Sequence, residues 1–278
     1  MEEITYLIAN YNNGKYITDC LNSLHQQSSP NWRAIIVDDQ STDNSIQIIN
    51  SQLTEKIKFL KNEQNIGYTP TLIRLIEQAT TDIVGILDPD DALYPEATEL
   101  VLQAYCEYPE AGFVYTNQDY YNEELTAKIG SYLSSAIPSG RTSLMHGVGA
   151  MRTFRRSAYA KSTGLDPSIL YAEDRDLVYK MEEVTPFVFV DLALYKYRYV
   201  PNSQSHNPQK RRLGDKNHRR AYRNALARRQ ITGRRKIGHL LWLYSHQLLR
   251  GQFPGRLKGI VSCCLPYIDR IAFCLAAS

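Results

Sequence analysis

The chain has 278 residues, 43% hydrophobic and 22% charged, close to a soluble globular average, so a sizeable core can form and wholesale disorder is excluded. Its formal net charge of +3 hides an asymmetry. Twelve Lys/Arg and one acid, Asp215, lie between Pro208 and Lys236, and the rest holds twenty bases and twenty-eight acids, a net of −8. Five cysteines with no CxxC pair and no nearby histidine argue against a zinc site or disulfide scaffold and for a reducing compartment. The acidic start Met1-Glu2-Glu3 carries no signal-peptide pattern, and no stretch reaches the roughly 20 apolar residues of a membrane span.

Ile4–Ala9 reads as a strand and Lys15–Gln27 as a helix with Tyr16, Cys20 and Leu24 on one stripe. Ala34–Val37 is a short buried strand ending in Asp38-Asp39, and Asp43 is placed to cap a helix carrying Ile46, Ile49 and Leu53. Ile57–Leu60 is a strand, and Thr69–Ala79 a helix with Leu72, Leu75, Ile76 and Ala79 on one face. The buried strand Ile83–Leu87 stops at Asp88-Pro89-Asp90-Asp91; a helix with Pro95 near its start runs to about Tyr108, and Phe113–Thr116 is a fifth strand. Asn122 to Gly149 is loop-rich. A helix is expected over Thr153–Ser162, a turn at Gly164–Pro167, a helix over Glu173–Val184, and strands at Phe187–Val190 and Tyr195–Val200.

Strands alternating with helices imply βαβ units: an α/β fold with a mostly parallel central sheet flanked by helices. The strands are continuous apolar runs, as expected when both faces are covered. Ligands then bind beyond the carboxyl ends of the strands, where Asn10-Tyr11-Asn12, Asp38-Asp39 and Asp88-Pro89-Asp90-Asp91 fall. Acids packed together repel one another unless a cation compensates them, and three within four residues make an oxygen-rich site suited to Mg²⁺ or Mn²⁺. Any one of these groups alone is good turn or capping chemistry; their joint position at one sheet edge favours a site.

The segments Leu7–Asn12, Val37–Asp43, Asn65-Ile66-Gly67, Ile86–Asp91 and Ala172–Leu177, in this order over about residues 1–200, resemble the inverting nucleotide-sugar glycosyltransferases of family 2, with the GT-A fold. The resemblance implies that Ile8, Ala9 and Tyr11 line the nucleotide pocket with Asn65 and Gly67. It implies that Asp39 accepts hydrogen bonds from the base or ribose, most often uracil, so a UDP-sugar is the expected donor. Asp88-Pro89-Asp90 matches the DxD motif, with Asp88 near the ribose or metal and Asp90 a ligand of Mn²⁺ or Mg²⁺ on the diphosphate. Asp174 matches the general base, and Glu173 orients it or meets the acceptor. His206 is a further candidate metal ligand, weighed against an exposed loop histidine. The implied organisation is a GT-A domain over 1–205, with a nucleotide half 1–118 and an acceptor half 119–205, followed by a basic helical extension over 206–278.

The implied reaction is metal-dependent sugar transfer, with inversion, to a hydroxyl acceptor in polysaccharide, glycolipid or cell-envelope glycan synthesis. Leu72-Ile73 stand where relatives often carry Arg-Asn, leaving Arg74 or another cation for the nucleotide, and the processive motif QxxRW is absent. Two alternatives are a catalytically silent relative and a sugar-phosphate nucleotidyltransferase; the latter lacks its glycine-rich phosphate loop here. The acceptor, a glycan or lipid-linked molecule, is expected at Asn122–Gly149, with His146–Gly149 as a wall. Arg152, Arg155 and Arg156 are candidates for an anionic acceptor or the diphosphate, against a solvated helix face. The basic segment lacks a nucleic-acid motif, and the apolar helix after it suits either peripheral contact with a membrane's inner face, in an otherwise cytoplasmic protein, or packing on the domain or another subunit.

Overall fold

The computed structural model describes residues 2–201, 203, 207–250 and 268–276; His206 lies outside the described residues. The elements, in order, are β1 (Ile4–Asn10), α1 (Ile17–His25), β2 (Trp32–Asp38), α2 (Ser45–Ser51), β3 (Ile57–Lys61), α3 (Tyr68–Gln78), β4 (Ile83–Ile86), β5 (Ala92–Leu93) and α4 (Ala97–Glu107). After them come β6 (Phe113–Tyr121), β7 (Lys128–Tyr132), a 3-10 turn at Ser143–Met145, β8 (Arg152–Arg155), α5 (Arg156–Tyr159), α6 (Glu173–Glu182), β9 (Phe187–Arg198), α7 (Pro208–Arg228) and α8 (Gly233–Arg250).

Among the described residues the strands form one sheet in the order β3-β2-β1-β4-β8-β6-β9-β5, with β7 paired to β6. The first half, β3-β2-β1-β4, is wholly parallel. Antiparallel pairing enters with β8, which joins β4 to β6, while β6 and β9 pair in parallel. Along β1, Ile4, Tyr6 and Ile8 enter the core covered by α1, α2 and α4, whereas Leu7 enters the core beneath α3, α6 and α7. With period-two side chains and a helix layer on each face, the strand before Asn10 is apolar on both sides except at the buried Thr5, whose hydroxyl hydrogen-bonds that of Thr81.

Several local expectations change, among them α4, which opens at Ala97 after Pro95, and β6, which runs on to Tyr121. Residues 152–155 are the strand β8, and only Arg156–Tyr159 is helical, because this segment fills the gap between β4 and β6 and Phe154 is buried there between Val84 and Phe113. Phe187–Arg198 is one strand, whose pairing with β6 slips near Asn117 and so accommodates Asp191 and Leu192 without ending the ladder. The loop-rich stretch contains β7. Asp43 lies just before the α2 cap Asn44: its Oδ1 accepts from the Ser45 backbone N–H at 2.9 Å and its Oδ2 from that of Gly14 at 2.8 Å.

α7 begins with Asn207, whose side chain accepts from the backbone N–H groups of Gln209 and Lys210, and with Pro208 in the first turn. Tyr222, Ala225 and Leu226 of α7 and Leu243 of α8 join the core beneath α6. The two C-terminal helices therefore pack on the domain. No helix among the described residues is long and apolar enough to cross a membrane.

Candidate active site

The parallel half brings three loops together beyond its strand ends. At the end of β1, Asn10 Nδ2 donates to Asp38 Oδ2 at 2.7 Å, and the buried Asp38 also accepts from the backbone N–H and hydroxyl of Ser41. Asp39, 4% exposed, points the other way. Its Oδ1 accepts from Asn62 Nδ2 at 2.6 Å and the Ile66 N–H at 2.9 Å, and its Oδ2 from the Gly67 N–H at 2.8 Å. Gly67 turns the chain into α3 with φ +89, a conformation that favours glycine. Asn65 Nδ2 donates to the Asp39 carbonyl at 3.0 Å. Asp39, Asn65 and Gly67 thus close one loop, and Asp39 Oδ2, which accepts a single hydrogen bond, retains lone-pair capacity for a ligand donor. Ile8 is buried beneath this edge, Ala9 is half-buried and Tyr11 is exposed. Arg74 donates to the Lys61 carbonyl and to Asn62 Oδ1, so it steadies the residue that holds Asp39.

Tyr68, next to Gly67, donates its hydroxyl to Asp88 Oδ1 at 3.0 Å and so ties this loop to the turn after β4. In that turn the Asp91 N–H donates to the Asp88 carbonyl at 3.1 Å, and Asp91 Oδ1 accepts from the Arg198 N–H at 2.7 Å. The buried Arg198 guanidinium donates to the Asp90 carbonyl at 2.5 Å, to Asp19 Oδ2 at 2.7 Å and to the Glu123 carbonyl, and lies 4.9 Å from the Tyr16 ring centroid. Burial, and then the Asp88 charge, pushes the Asp90 carboxyl up to about 6. Burial raises Asp88 too, against the Tyr68 hydroxyl and Arg152, with Asp174 adding to the rise. Burial followed by Asp90 and Asp88 lifts Asp91 well above the carboxylate range. Like charges are crowded here, and Arg198 and Arg152 offset them only in part. Among the described residues no three His, Cys, Asp or Glu side chains converge as a ready metal cage. Mg²⁺ needs no such cage, since one or two carboxylates plus substrate phosphates complete its shell, and Asp88 and Asp90 fit that donor set.

Glu173 and Asp174 open α6, which the backbone enters through Tyr171 at φ 60. Asp174 Oδ1 accepts from the Arg175 N–H at 2.7 Å, and Oδ2 lies 3.1 Å from Arg152 Nη2. Its side chain keeps 40% of its surface open. Burial pushes the Asp174 carboxyl up, but Arg152 and Arg175 outweigh it and hold the group below its ordinary value. Glu173 behaves oppositely: burial, then Asp174 and Asp88, raises it to about 7, and its Oε2 has no hydrogen-bond partner. Two adjacent carboxyls therefore sit in different protonation regimes.

Asp174 lines a cavity of about 470 Å³ with Arg152 and Arg175. Tyr120, Tyr132, Tyr179, Tyr197 and Tyr199 give it aromatic walls. His146, Val148 and Gly149 supply the wall expected of that segment. A Cβ on Gly147 would stand 1.9 Å from the Tyr132 hydroxyl, so glycine lets this wall pass. The three arginines separate. Arg152 faces the cavity, whereas Arg155 pairs with Glu2 and Asp82 and Arg156 donates to the Thr81 carbonyl. The structure thus brings Asp88, Glu173 and Asp174 into one electrostatic neighbourhood, with Asp90 in the same turn as Asp88 and Asp39 joined to them through Gly67-Tyr68. Sequence reasoning missed Tyr68, Arg198 and the outer tyrosines of β6, β7 and β9; the run Tyr197-Arg198-Tyr199 was their one visible signal.

The sequence profile of Glycosyl transferase family 2 matches residues 5–163. A chondroitin synthase of Escherichia coli is 26% identical over 81% of this chain and 33% of its own length. A hyaluronan synthase of Pasteurella multocida is 25% identical over 82% of the chain and 24% of its own length. A glycosyltransferase of Haemophilus influenzae is 26% identical over 66% and 63%. The chain thus spans less than two thirds of each relative. Among solved structures, S. aureus TarS 1–349 in complex with UDP superposes with a TM-score of 0.61 at 16% identity, covering 99% of this chain and 89% of that one. Mannosyltransferase PcManGT from Pyrobaculum calidifontis, in complex with GDP-Man and Mn²⁺, gives 0.56 at 16% identity, covering 98% and 73%. At such identities these likenesses show the fold, a GT-A-like α/β sheet flanked by helices.

Proposed function

Because the chain belongs to glycosyl transferase family 2, we propose that it transfers a sugar from a nucleoside diphosphate donor, a UDP-sugar, to a hydroxyl acceptor with inversion at the anomeric carbon. The product belongs to a polysaccharide, glycolipid or cell-envelope glycan; relatives named chondroitin synthase and hyaluronan synthase support that class. Neighbours of the same fold hold UDP, UDP-GlcNAc or GDP-Man, which supports a nucleotide-sugar. We assign the donor to residues 1–118, the acceptor to 119–205 and the basic helical extension to 206–278. We place the reaction in the cytoplasm, since the described cysteines, Cys20, Cys106 and Cys274, are free and suit a reducing compartment.

The observation that carries the reading is Asp174, an ionised carboxylate on the wall of an aromatic cavity and electrostatically coupled to Asp88 of the DxD turn. In this assignment Asp174 takes the proton of an acceptor hydroxyl held among the tyrosines, as that oxygen bonds to the anomeric carbon. The carbon–oxygen bond to the diphosphate breaks with its electron pair on the leaving oxygen, so a single displacement inverts the centre. Arg152 keeps the base ionised and oriented. Arg175, beside it in the cavity wall, is available to an acidic group on the acceptor. Asp90, assisted by Asp88, would hold Mn²⁺ or Mg²⁺, and the ion would supply charge neutralisation on the departing diphosphate.

Asp174→Asn tests this. Transfer should fall by roughly 10²–10⁴-fold while nucleotide-sugar binding, followed by calorimetry, stays within about twofold. Loss of both would assign Asp174 a structural role. Asp90→Ala should abolish the gain in UDP affinity that Mn²⁺ gives the wild type, and an unchanged gain would remove Asp90 from the ligand set.

A further inference from the structure

The proposed reaction leaves the outer surface of α7 and α8 unused. The inward sides of this pair are Tyr222, Ala225, Leu226 and Leu243, all at most 1% exposed. On α8 the opposite side presents Ile237, Leu241 and Tyr244, 53%, 42% and 38% exposed. Steps of four and three place them on one stripe, and the exposed Arg234 precedes it by one turn. On α7, the exposed Arg212, Lys216 and Arg223 fall on one stripe by steps of four and seven. The stripes meet where the Arg223 guanidinium lies 6.0 Å from the Tyr244 ring centroid and donates to its hydroxyl. Asp215 is the sole acid from Pro208 to Arg250.

We propose that this joint face docks on an anionic lipid bilayer. Ile237, Leu241 and Tyr244 enter the headgroup boundary, while Arg212, Lys216, Arg223 and Arg234 meet lipid phosphates. Charge separation within the chain selects this occupant. The chain outside the helix pair, with a formal net of −9, is repelled by an anionic surface, so the protein approaches helix pair first. The apolar stripe is only three described side chains wide and is bordered by cations, which suits a headgroup layer better than the broad apolar core of a protein interface. The arrangement also relates the surface to the cavity. α7 packs on α6, with the Tyr179 hydroxyl 2.8 Å from His218 Nε2, and α6 carries Asp174 at its first turn. Docking therefore holds the acceptor cavity at a fixed position relative to the bilayer, as a lipid-linked acceptor requires.

The test is flotation of the full chain with vesicles of phosphatidylcholine alone or mixed with phosphatidylglycerol. The wild type should float with the mixed vesicles, remain below with phosphatidylcholine, and be released by high salt. The Ile237→Glu/Leu241→Glu variant should lose at least about tenfold in bound fraction, with unchanged melting temperature and UDP-sugar binding. Arg212→Glu/Lys216→Glu, which alters solvated side chains only, should lose as much and keeps the test valid if the first variant misfolds. Failure of the wild type to float with mixed vesicles, equal flotation on neutral vesicles, or wild-type flotation of the charge-reversal variant would overturn the proposal. Concentration-dependent self-association without lipid, abolished by Ile237→Glu, would assign the face to a second copy of the chain and overturn it too.

Discussion

Asp174 and Glu173 are neighbours in sequence with opposite electrostatics, and the difference lies in Arg152. Its guanidinium reaches Asp174 Oδ2 at 3.1 Å, whereas Glu173 Oε2 is buried without a partner. A cation in contact stabilises the ionised form and lowers a carboxyl pKa by roughly 1–3 units. Arg152→Gln should therefore raise the Asp174 carboxyl: if Asp174 is the proposed base, the acidic limb of the kcat–pH profile should move up by about one unit or more, with activity at high pH least affected. An unmoved limb would remove Arg152 from the control of Asp174. Asp39 could be read as a site residue from its place after an apolar strand, but not the donors that hold it. Asn62, Ile66 and Gly67 belong to a loop more than twenty residues further on, and only the parallel pairing of β2 with β3 brings them together. Arg152 could be named as a candidate but not separated from Arg155 and Arg156, because a helix expected there would have spread the three over one solvated face.

The elements of the parallel half were legible because their strands are mostly apolar, with Lys58 of β3 and Arg33 of β2 among the exceptions, and their helices carry apolar stripes. The second half was not. Residues 152–155 contain two arginines and one threonine, and their strand character comes from the open edges of β4 and β6 on either side. The long β9 was hidden by Asp191 and Leu192, which sit where the ladder slips. That strand ends in Arg198, a buried cation that clamps the β4–β5 turn to α1 through the Asp90 carbonyl and the Asp19 carboxylate. Removing one partner of a buried charged network leaves the others unpaired and typically costs about 3–5 kcal/mol. Arg198→Met should accordingly lower unfolding free energy by about 3 kcal/mol in denaturant titrations. It should also weaken the proposed Mn²⁺-dependent UDP binding, because the Asp88–Asp91 turn loses its anchor. A variant with wild-type stability would show that the guanidinium is dispensable.

At the scale of the whole molecule, the sequence left open whether the C-terminal helices pack on the domain, and the balance was decided by Tyr222, which is fully buried against Tyr179 of α6 and stacks on Trp242. Burial here and at the α6 N-terminus makes stability depend on pH at two separate groups. Burial, then Arg235 and Arg229, depresses His239 to about 4, so the unfolded chain binds the extra proton first. Its contribution is present above the unfolded pKa near 6.5 and is lost as pH falls towards 4. Glu173 has the opposite sign. Its folded pKa, about 7 against an ordinary 4.5, makes the native state the better proton binder, so stability falls as pH rises across that interval. Each shift corresponds to at most about 3 kcal/mol. In metal-free protein, Glu173→Gln should therefore match the wild type near pH 4.5 and exceed it at pH 8. The stability deficit of His239→Gln against the wild type should shrink as pH falls from 7 to 4. Urea titrations across this range read both effects, and parallel profiles for wild type and Glu173→Gln would show that the Glu173 carboxyl is ionised throughout and that its burial is relieved in solution.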